Sequence, residues 1–383
     1  MKYHGYYQAV AILMGAILGV GIFGLPYVGL HAGLIPMIGF FLLAIFLLYT
    51  ISYIYGQVII GTNEKHRLPG YVEKYLGHNW KSAAFMVTVI GVWGALLSYL
   101  LIGGSFLGEI FIPLIGGSEL FYVLTFFFIG VFFIYRDAKT IARTEIILLA
   151  LFAIIVILFV MLGIDKVDLK NIQLFDKSNF IIVYGVSIFA LWGVNVIPDI
   201  LEINTNNKKI LKNIIITSLT ISSLLYVVYT LIIIGVAGKN TSIDSISGLS
   251  DYFGEKTLIV GYLFGIIATF TSFIAMGLNL KKVFMFDYYY HRIPALILAT
   301  CVPMALYLGG IRNYIEVIAV IGGSVLAVES IVILRLYEKF VDERTNLIND
   351  SEYRIRAWTK PLMVLFGLGA VIGIITPFLL SRL

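Results

Sequence analysis

Ile12-Leu13-Met14-Gly15-Ala16-Ile17-Leu18-Gly19-Val20-Gly21-Ile22-Phe23-Gly24-Leu25-Pro26 carries four glycines within ten residues, in an apolar run that extends from Tyr6 to Leu30. Each glycine costs a helix interior roughly 1 kcal/mol relative to alanine, so the cluster predicts a helix that unwinds at mid-depth. A bilayer tolerates this only where the freed amides and carbonyls face protein, water or a ligand. Gly15-x-x-x-Gly19 is also a close-packing pattern for two helices, and this segment alone leaves both readings open.

Working outward, the chain is 60% hydrophobic and 13% charged over 383 residues, with a mean hydropathy of +0.97. No soluble core could hide that much apolar surface. Apolar runs recur near 6 to 30, 34 to 60, 82 to 109, 120 to 135, 142 to 164, 179 to 203, 210 to 237, 257 to 283, 293 to 309, 313 to 337 and 358 to 380. A helix of about 20 apolar residues crosses a hydrocarbon core, so the expectation is an all-α polytopic membrane protein with eleven spans and one integral domain. The first run is too long for a cleaved signal peptide and is expected to remain as a span. With the N-terminus in the cytoplasm, 20 of the 27 Lys and Arg residues fall on the inner side. The outer side keeps Lys166, Lys170, Lys177, Lys239, Lys256, Arg312 and Arg382, which places the C-terminus outside.

The sixth run repeats the interruption of the first. Ser187-Ile188-Phe189-Ala190-Leu191-Trp192-Gly193-Val194-Asn195-Val196-Ile197-Pro198-Asp199 sets Gly, Asn and Pro at its centre. Runs one and six are equivalent members of two five-span halves, 1 to 165 and 178 to 338, with 358 to 380 left over. Five is odd, so the second half must be inverted relative to the first. Paired breaks in an inverted repeat point to a transporter site near the bilayer midplane.

Such a site has a definite chemistry. Amides of Ala16, Ile17, Gly19, Val20 and Gly21 at the head of a half-helix suit a carboxylate, and carbonyls around Phe189, Ala190, Leu191 and Trp192 suit an ammonium. A small amino acid, which is a zwitterion, fits both. Trp192 and Asn195 adjoin the break. Trp93, Leu97 and Ser98 on the third span, with Phe273 and Met276 on the eighth, are the candidate pocket walls.

At these residues the sequence resembles a known group. Gly15-Ala16-Ile17-Leu18-Gly19-Val20-Gly21-Ile22-Phe23-Gly24-Leu25-Pro26-Tyr27 looks like the first-helix signature of the amino acid/polyamine/organocation superfamily. Its Gly-Ile-x-x-Leu-Pro ending is closer to the amino acid/auxin permease and aromatic amino acid permease branches. Ile197-Pro198, Ala268-Thr269-Phe270-Thr271-Ser272-Phe273 and Gly277-Leu278 agree with it. The resemblance implies a LeuT-type fold with discontinuous helices one and six, and alternating-access transport coupled to Na+ or H+. In sodium symporters of that fold, first-helix carbonyls and an Ala-x-x-Thr-Ser run hold one sodium. By resemblance the ligands here are the Gly15, Leu18 and Ala268 carbonyls and the Thr271 and Ser272 hydroxyls. Threonine and serine in a membrane helix also commonly bond to the preceding turn. Proton-coupled relatives use a fifth-helix lysine, but here 142 to 163 contains Glu145 and no lysine.

Other polar groups are assigned by depth. Asp199 and Glu202 read as cytoplasmic-gate residues that pair with basic loop groups, with a proton relay as the alternative, which Glu329 shares. Glu109 and Glu316 read as interfacial. Between Gly238 and Glu255, Ile243, Ile246, Leu249 and Phe253 at helical spacing predict a short helix, either a lid on the outer vestibule or one merely packed on the surface. The one cysteine, Cys301, excludes an internal disulfide, and the five histidines lack metal-ligand spacing. A net charge of +5 follows membrane loops rather than a nucleic-acid face. An ion channel would need pore-lining polar residues or a filter motif, and an enzyme an intramembrane catalytic cluster. Neither pattern is present. The expected function is a permease of a prokaryotic inner membrane with lipids and a small molecule as its partners. The substrate is a neutral or aromatic amino acid, or alternatively another organic amine, and no cofactor is expected beyond a coupling ion.

Overall fold

The computed structural model describes residues 2–62, 64, 66–137, 141–177, 180–203, 208–344 and 350–380, without the side chains of 2–4, 141–148, 203, 208 and 350–354. The side chains of Lys2, Lys65, Lys139, Arg143, Glu145, Lys208, Arg354 and Arg382, read above from the sequence, lie outside the described set.

Among the described residues the chain is helical throughout. In order, the helices are α1 (Lys2–Ile17), α2 (Gly21–Ala32), α3 (Leu34–Gly61), α4 (Leu68–Leu76), α5 (His78–Ile115), α6 (Glu119–Tyr135), α7 (Ile141–Gly163), α8 (Ile182–Ala190), α9 (Ile197–Ile203), α10 (Lys208–Ala237), α11 (Glu255–Asp287), α12 (Arg292–Leu308), α13 (Tyr314–Val320), α14 (Leu326–Asp342) and α15 (Asp350–Leu380). Eight helical segments among the described residues are long and apolar enough to cross a membrane, or nine if the bent pair α1 and α2 is one span. Glu119–Tyr135 and Arg292–Leu308 are shorter apolar helices.

Local chemistry sets several boundaries. The Ser118 hydroxyl accepts from the Phe121 amide at 3.3 Å to start α6, and Asn313 accepts from the Glu316 amide at 3.2 Å to start α13, as helix N-caps do. Gly77, at φ 87°, ends α4 and turns the chain into α5. The sequence did not announce α4, because a nine-residue amphipathic helix has too little apolar text to stand out as a span. It lies against α5 and α14.

Enclosure decides where the core sits. In the segment Ile182–Glu202, 78% of the apolar window is buried, and in α5 72%, against 28% in α15. The outer helices turn residues such as Phe128, Ile154, Val371 and Phe378 to the exterior. With lipid as solvent, close packing rather than water exclusion must hold helices together. Here small residues do so at the centre. A Cβ on Gly322 would run into the Gly185 carbonyl, and one on Gly323 would stand 2.6 Å from the Gly373 Cα. These glycines lie in a π-helical turn, Ile321–Val325, that joins α13 to α14. Nothing in the sequence reading anticipated it, although Gly322-Gly323 is a visible mark.

The outer segment expected to hold a short helix is corrected. It forms two 3₁₀ turns, Gly238–Asn240 and Ser247–Leu249, among turns and bends. Asp244 accounts for the difference, since its Oδ1 accepts from the Ile246 amide at 3.2 Å and the Ser247 amide at 3.1 Å. That side-chain turn competes with helix formation. Ile246, Leu249 and Phe253 are buried nonetheless, while Ile243 is exposed.

Candidate functional site

The first helix stops at Ile17 and resumes at Gly21 with its axis turned by 55°. In the gap the Leu18 amide still reaches the Met14 carbonyl at 2.7 Å, and the Gly19 amide closes onto Ile17 at 2.8 Å. Gly21 is the first residue of α2, and first-turn amides of a helix have no intrahelical acceptor. Carbonyls at and just after the break also accept from hydroxyls of other elements. Tyr226 of α10 donates to Ile17 at 2.6 Å, Tyr314 of α13 donates to Val20, and Ser245 of the outer segment donates to Phe23.

The second break faces the first. After Ala190 the Leu191 and Trp192 amides fold back to the Ser187 and Phe189 carbonyls, both at 3.2 Å. A 3₁₀ turn, Val194–Val196, then leads into α9. A Cβ on Gly21 would stand 2.6 Å from the Ala190 Cα, and one on Gly193 would stand 2.6 Å from Leu13 Cδ1. The head of α2 therefore sits directly on the tail of α8.

Around this contact lies a cavity lined by Ala16, Ile17, Gly19, Val20, Gly21, Phe189, Trp192, Asn195 and Met276, all expected from the sequence. The remaining walls are Gly91, Val92, Ala95 and Tyr99 of α5 and Ile321, Leu326 and Glu329 of the tenth run. The Trp192 Nε1 is buried without a hydrogen-bond partner. That donor can serve an acceptor placed in the cavity, since leaving it unmet is costly.

Six residues expected at the site lie outside the cavity lining, among them Leu97, which is buried in the core. Ala190 packs on Gly21, and Leu191 is fully buried in the core. Trp93 turns away, its indole donating to the Leu298 carbonyl of α12 at 2.9 Å. Ser98 donates to the Gly94 carbonyl of its own helix at 2.9 Å. Phe273 is buried beside Phe126, with ring centroids 5.7 Å apart. The α5 face that does line the cavity repeats at three- and four-residue steps, Gly91, Val92, Ala95 and Tyr99. Its signal in the sequence was the run of small residues, which the bulk of Trp93 obscured.

For the five residues assigned to sodium, the geometry is mixed. A Cβ at Gly19 would lie 3.5 Å from the Tyr99 hydroxyl and 3.6 Å from Ser272 Oγ, so Ser272 faces the first break. The Thr271 hydroxyl turns back along α11, 3.1 Å from the Ile267 and Ala268 carbonyls. Leu18 and Ala268 are both buried, and Gly15 lies in the last turn of α1.

Polar contacts also tie other elements to the two broken segments. Arg67, ahead of α4, grips Asp199 of α9 through two hydrogen bonds, at 2.7 and 3.1 Å. Desolvation works against the Arg67 charge, but the hydrogen bond and charge of Asp199 outweigh it and hold the guanidinium above its ordinary pKa. Glu202 adds to that field. The Asp244 turn carries Ser245 onto α2.

Comparison with known proteins follows the same lines. The family model for the tryptophan/tyrosine permease family matches residues 2–376. Among solved structures, MhsT in complex with L-phenylalanine superposes with a TM-score of 0.71 at 15% identity, covering 96% of this chain and 98% of that one. Mhp1, a nucleobase-cation-symport-1 family transporter in a closed conformation with bromovinylhydantoin bound, gives 0.64 at 15% identity, covering 98% and 90%. No curated protein matches. The superpositions establish a LeuT-type transporter fold.

Proposed function

The chain belongs to the tryptophan/tyrosine permease family, and from that premise we propose that it is a secondary active transporter of a neutral or aromatic amino acid, working by alternating access with cation coupling. The observation that carries the reading is the contact of the two interrupted helices at Gly21 and Ala190, with a cavity around it. The amides at the head of α2, at Val20 and Gly21, receive the substrate carboxylate. The ammonium faces the carbonyl ends of α1 and α8, and the side chain lies among Phe189, Trp192 and Met276 and against the small residues Gly91 and Ala95.

In this reading the two shorter apolar helices, α6 and α12, also span, which gives eleven crossings with N-terminus inside and C-terminus outside. Residues 1 to 165 and 178 to 338 form inverted halves, with α15 added. Alternating access rocks α1, α2, α8 and α9 against the rest, breaking Arg67–Asp199 to open the cytoplasmic side and lifting the Ser245 segment to open the other. Sodium, if it is the coupling ion, is cargo held by the Gly15, Leu18 and Ala268 carbonyls and the Thr271 and Ser272 hydroxyls.

The test is counterflow in proteoliposomes loaded with unlabelled L-tryptophan, L-tyrosine or L-phenylalanine. Saturable uptake of the labelled amino acid supports a carrier for that class. Counterflow with organic amines but with none of the amino acids replaces the substrate assignment, and non-saturable flux removes the carrier reading.

A further inference from the structure

Glu329 stands on the first turn of α14, is 2% exposed and lines the cavity between the two breaks. Its Oε2 lies 3.9 Å from the position a Cβ would take on Gly91 of α5, and Thr88, one turn earlier on the same helix, has a buried hydroxyl without a hydrogen-bond partner. The described cavity lining contains no lysine, arginine or histidine, so no protein cation there balances an ionised carboxylate. The titratable group facing Glu329 from α3 is Tyr55, which couples in turn to Tyr71 of α4, to Arg67 and to Asp287 at the cytoplasmic end of α11. On α15, which packs on α14, Leu362 and Phe366 are buried, and the basic residue Lys360 is exposed.

We propose that Glu329 carries the coupling proton of the transport cycle. This rests on the transporter reading above and deepens it. When the site is open to the outside, water hydrates the cavity and the carboxylate takes a proton from that water. When substrate fills the cavity and the ends close, the water leaves, and an ionised carboxylate without a cation is then strongly disfavoured. The substrate-loaded closed state accordingly forms with Glu329 neutral. When Arg67 and Asp199 separate, water re-enters from the cytoplasm and the proton leaves to it with the substrate. The empty cavity keeps water around the ionised group, so the carrier returns without a proton. Thr88, whose buried hydroxyl has no other hydrogen-bond partner, is the positioning residue that sets where in pH this happens.

The experiment uses the full chain with L-tryptophan as probe. In weakly buffered detergent with a pH indicator, saturating tryptophan should draw about one proton per bound substrate from the medium in the wild type. Above the midpoint, apparent affinity should weaken by up to about tenfold per pH unit, as linkage to one proton requires. Glu329→Gln should show neither proton uptake nor this pH dependence. In proteoliposomes its accumulation under an inside-alkaline gradient, divided by its own counterflow, should fall to the value seen without a gradient. Thr88→Val should shift the midpoint of proton uptake without abolishing it. The proposal is overturned if wild-type protein that exchanges tryptophan binds it without taking up a proton, or if Glu329→Gln still takes one up. Should Glu329→Gln fail to fold, Glu329→Asp decides, since an unchanged midpoint overturns the assignment. Absence of counterflow by the wild type would instead count against the transporter reading.

Discussion

The Tyr226 hydroxyl donates to the Ile17 carbonyl at 2.6 Å and stands 3.3 Å from the Ala190 carbonyl, so one side chain of α10 closes the ends of both α1 and α8. It is fully buried. The Ile17 carbonyl otherwise takes only the Gly19 amide of the break at 2.8 Å, and lipid offers the Ala190 carbonyl no replacement donor. Tyr226→Phe keeps the ring and removes the donor. We expect it to destabilise the protein by about 1–3 kcal/mol, the cost of a buried acceptor left unmet. The melting temperature of the detergent-solubilised variant measures this. Counterflow should fall more steeply than expression, because the two breaks lose their shared anchor.

Gly21 and Gly19 separate packing from chemistry. A methyl group on Gly21 meets the Ala190 backbone at 2.6 Å, which no rotamer change relieves, whereas on Gly19 the nearest atoms are side-chain oxygens at 3.5 and 3.6 Å. Gly21→Ala should therefore push α2 off α8, with a loss of about 1–3 kcal/mol in stability and of uptake. Gly19→Ala should fold normally and act only on binding. Equal melting temperatures for the two variants would show that the contact at Ala190 is not what fixes the break.

The two breaks were legible because four glycines within ten residues of an apolar run, and a Gly-Asn-Pro centre in another, are unfavourable in a helix and must serve something else. The bilayer span pattern was legible for the same reason that makes helix faces hard to read. An interior helix such as α5 is apolar all round, so hydrophobicity does not say whether Trp93 or Tyr99 points inward. Trp93 chose the Leu298 carbonyl, a partner 205 residues away that no local pattern encodes. The π turn at Gly322 and Gly323 escaped because it depends on Gly185 and Gly373 arriving at the same place. Glu329 was named from its depth alone, and only tertiary structure brought it to the cavity.

Asp137, in the loop after α6, ties α11 and α12 to that loop through Lys281 at 2.5 Å and Arg292 at 2.8 Å. Partial burial raises its pKa, but the hydrogen bond and charge of Lys281, joined by Arg292, outweigh that and hold it below the ordinary carboxylate value. A depressed folded-state pKa contributes stability above the unfolded pKa and loses it as pH falls through the folded one. The contribution of Asp137 to the melting temperature should thus be constant with pH near neutrality and be lost below about pH 4, the ordinary aspartate range. Asp137→Asn should lower the neutral-pH melting temperature, because Lys281 is 1% exposed and loses its counter-charge, and should flatten the acid limb. An unchanged acid limb would assign it to other carboxylates.

The last prediction concerns sodium and follows from the unequal placement of Thr271 and Ser272. Ser272 faces Gly19 and the Tyr99 hydroxyl, while Thr271 bonds to the Ala268 carbonyl of its own helix. A sodium ion here would tie α1 to α11 and favour the substrate-ready arrangement, so it should raise substrate affinity. Substrate must then raise sodium affinity by the same factor, because linkage between two bound ligands is reciprocal. Replacing Ser272 with alanine removes an oxygen that already points at the break. It should weaken that mutual effect more than Thr271→Ala does, and the double variant should abolish it while expression persists. Uptake is measured at fixed pH with sodium replaced by choline, then at fixed sodium with the proton gradient collapsed. Dependence on both ions would place a sodium beside the Glu329 proton. Uptake that ignores sodium and stops with the proton gradient would leave Thr271 and Ser272 as hydroxyls satisfied within the protein, and Glu329 as the coupling group.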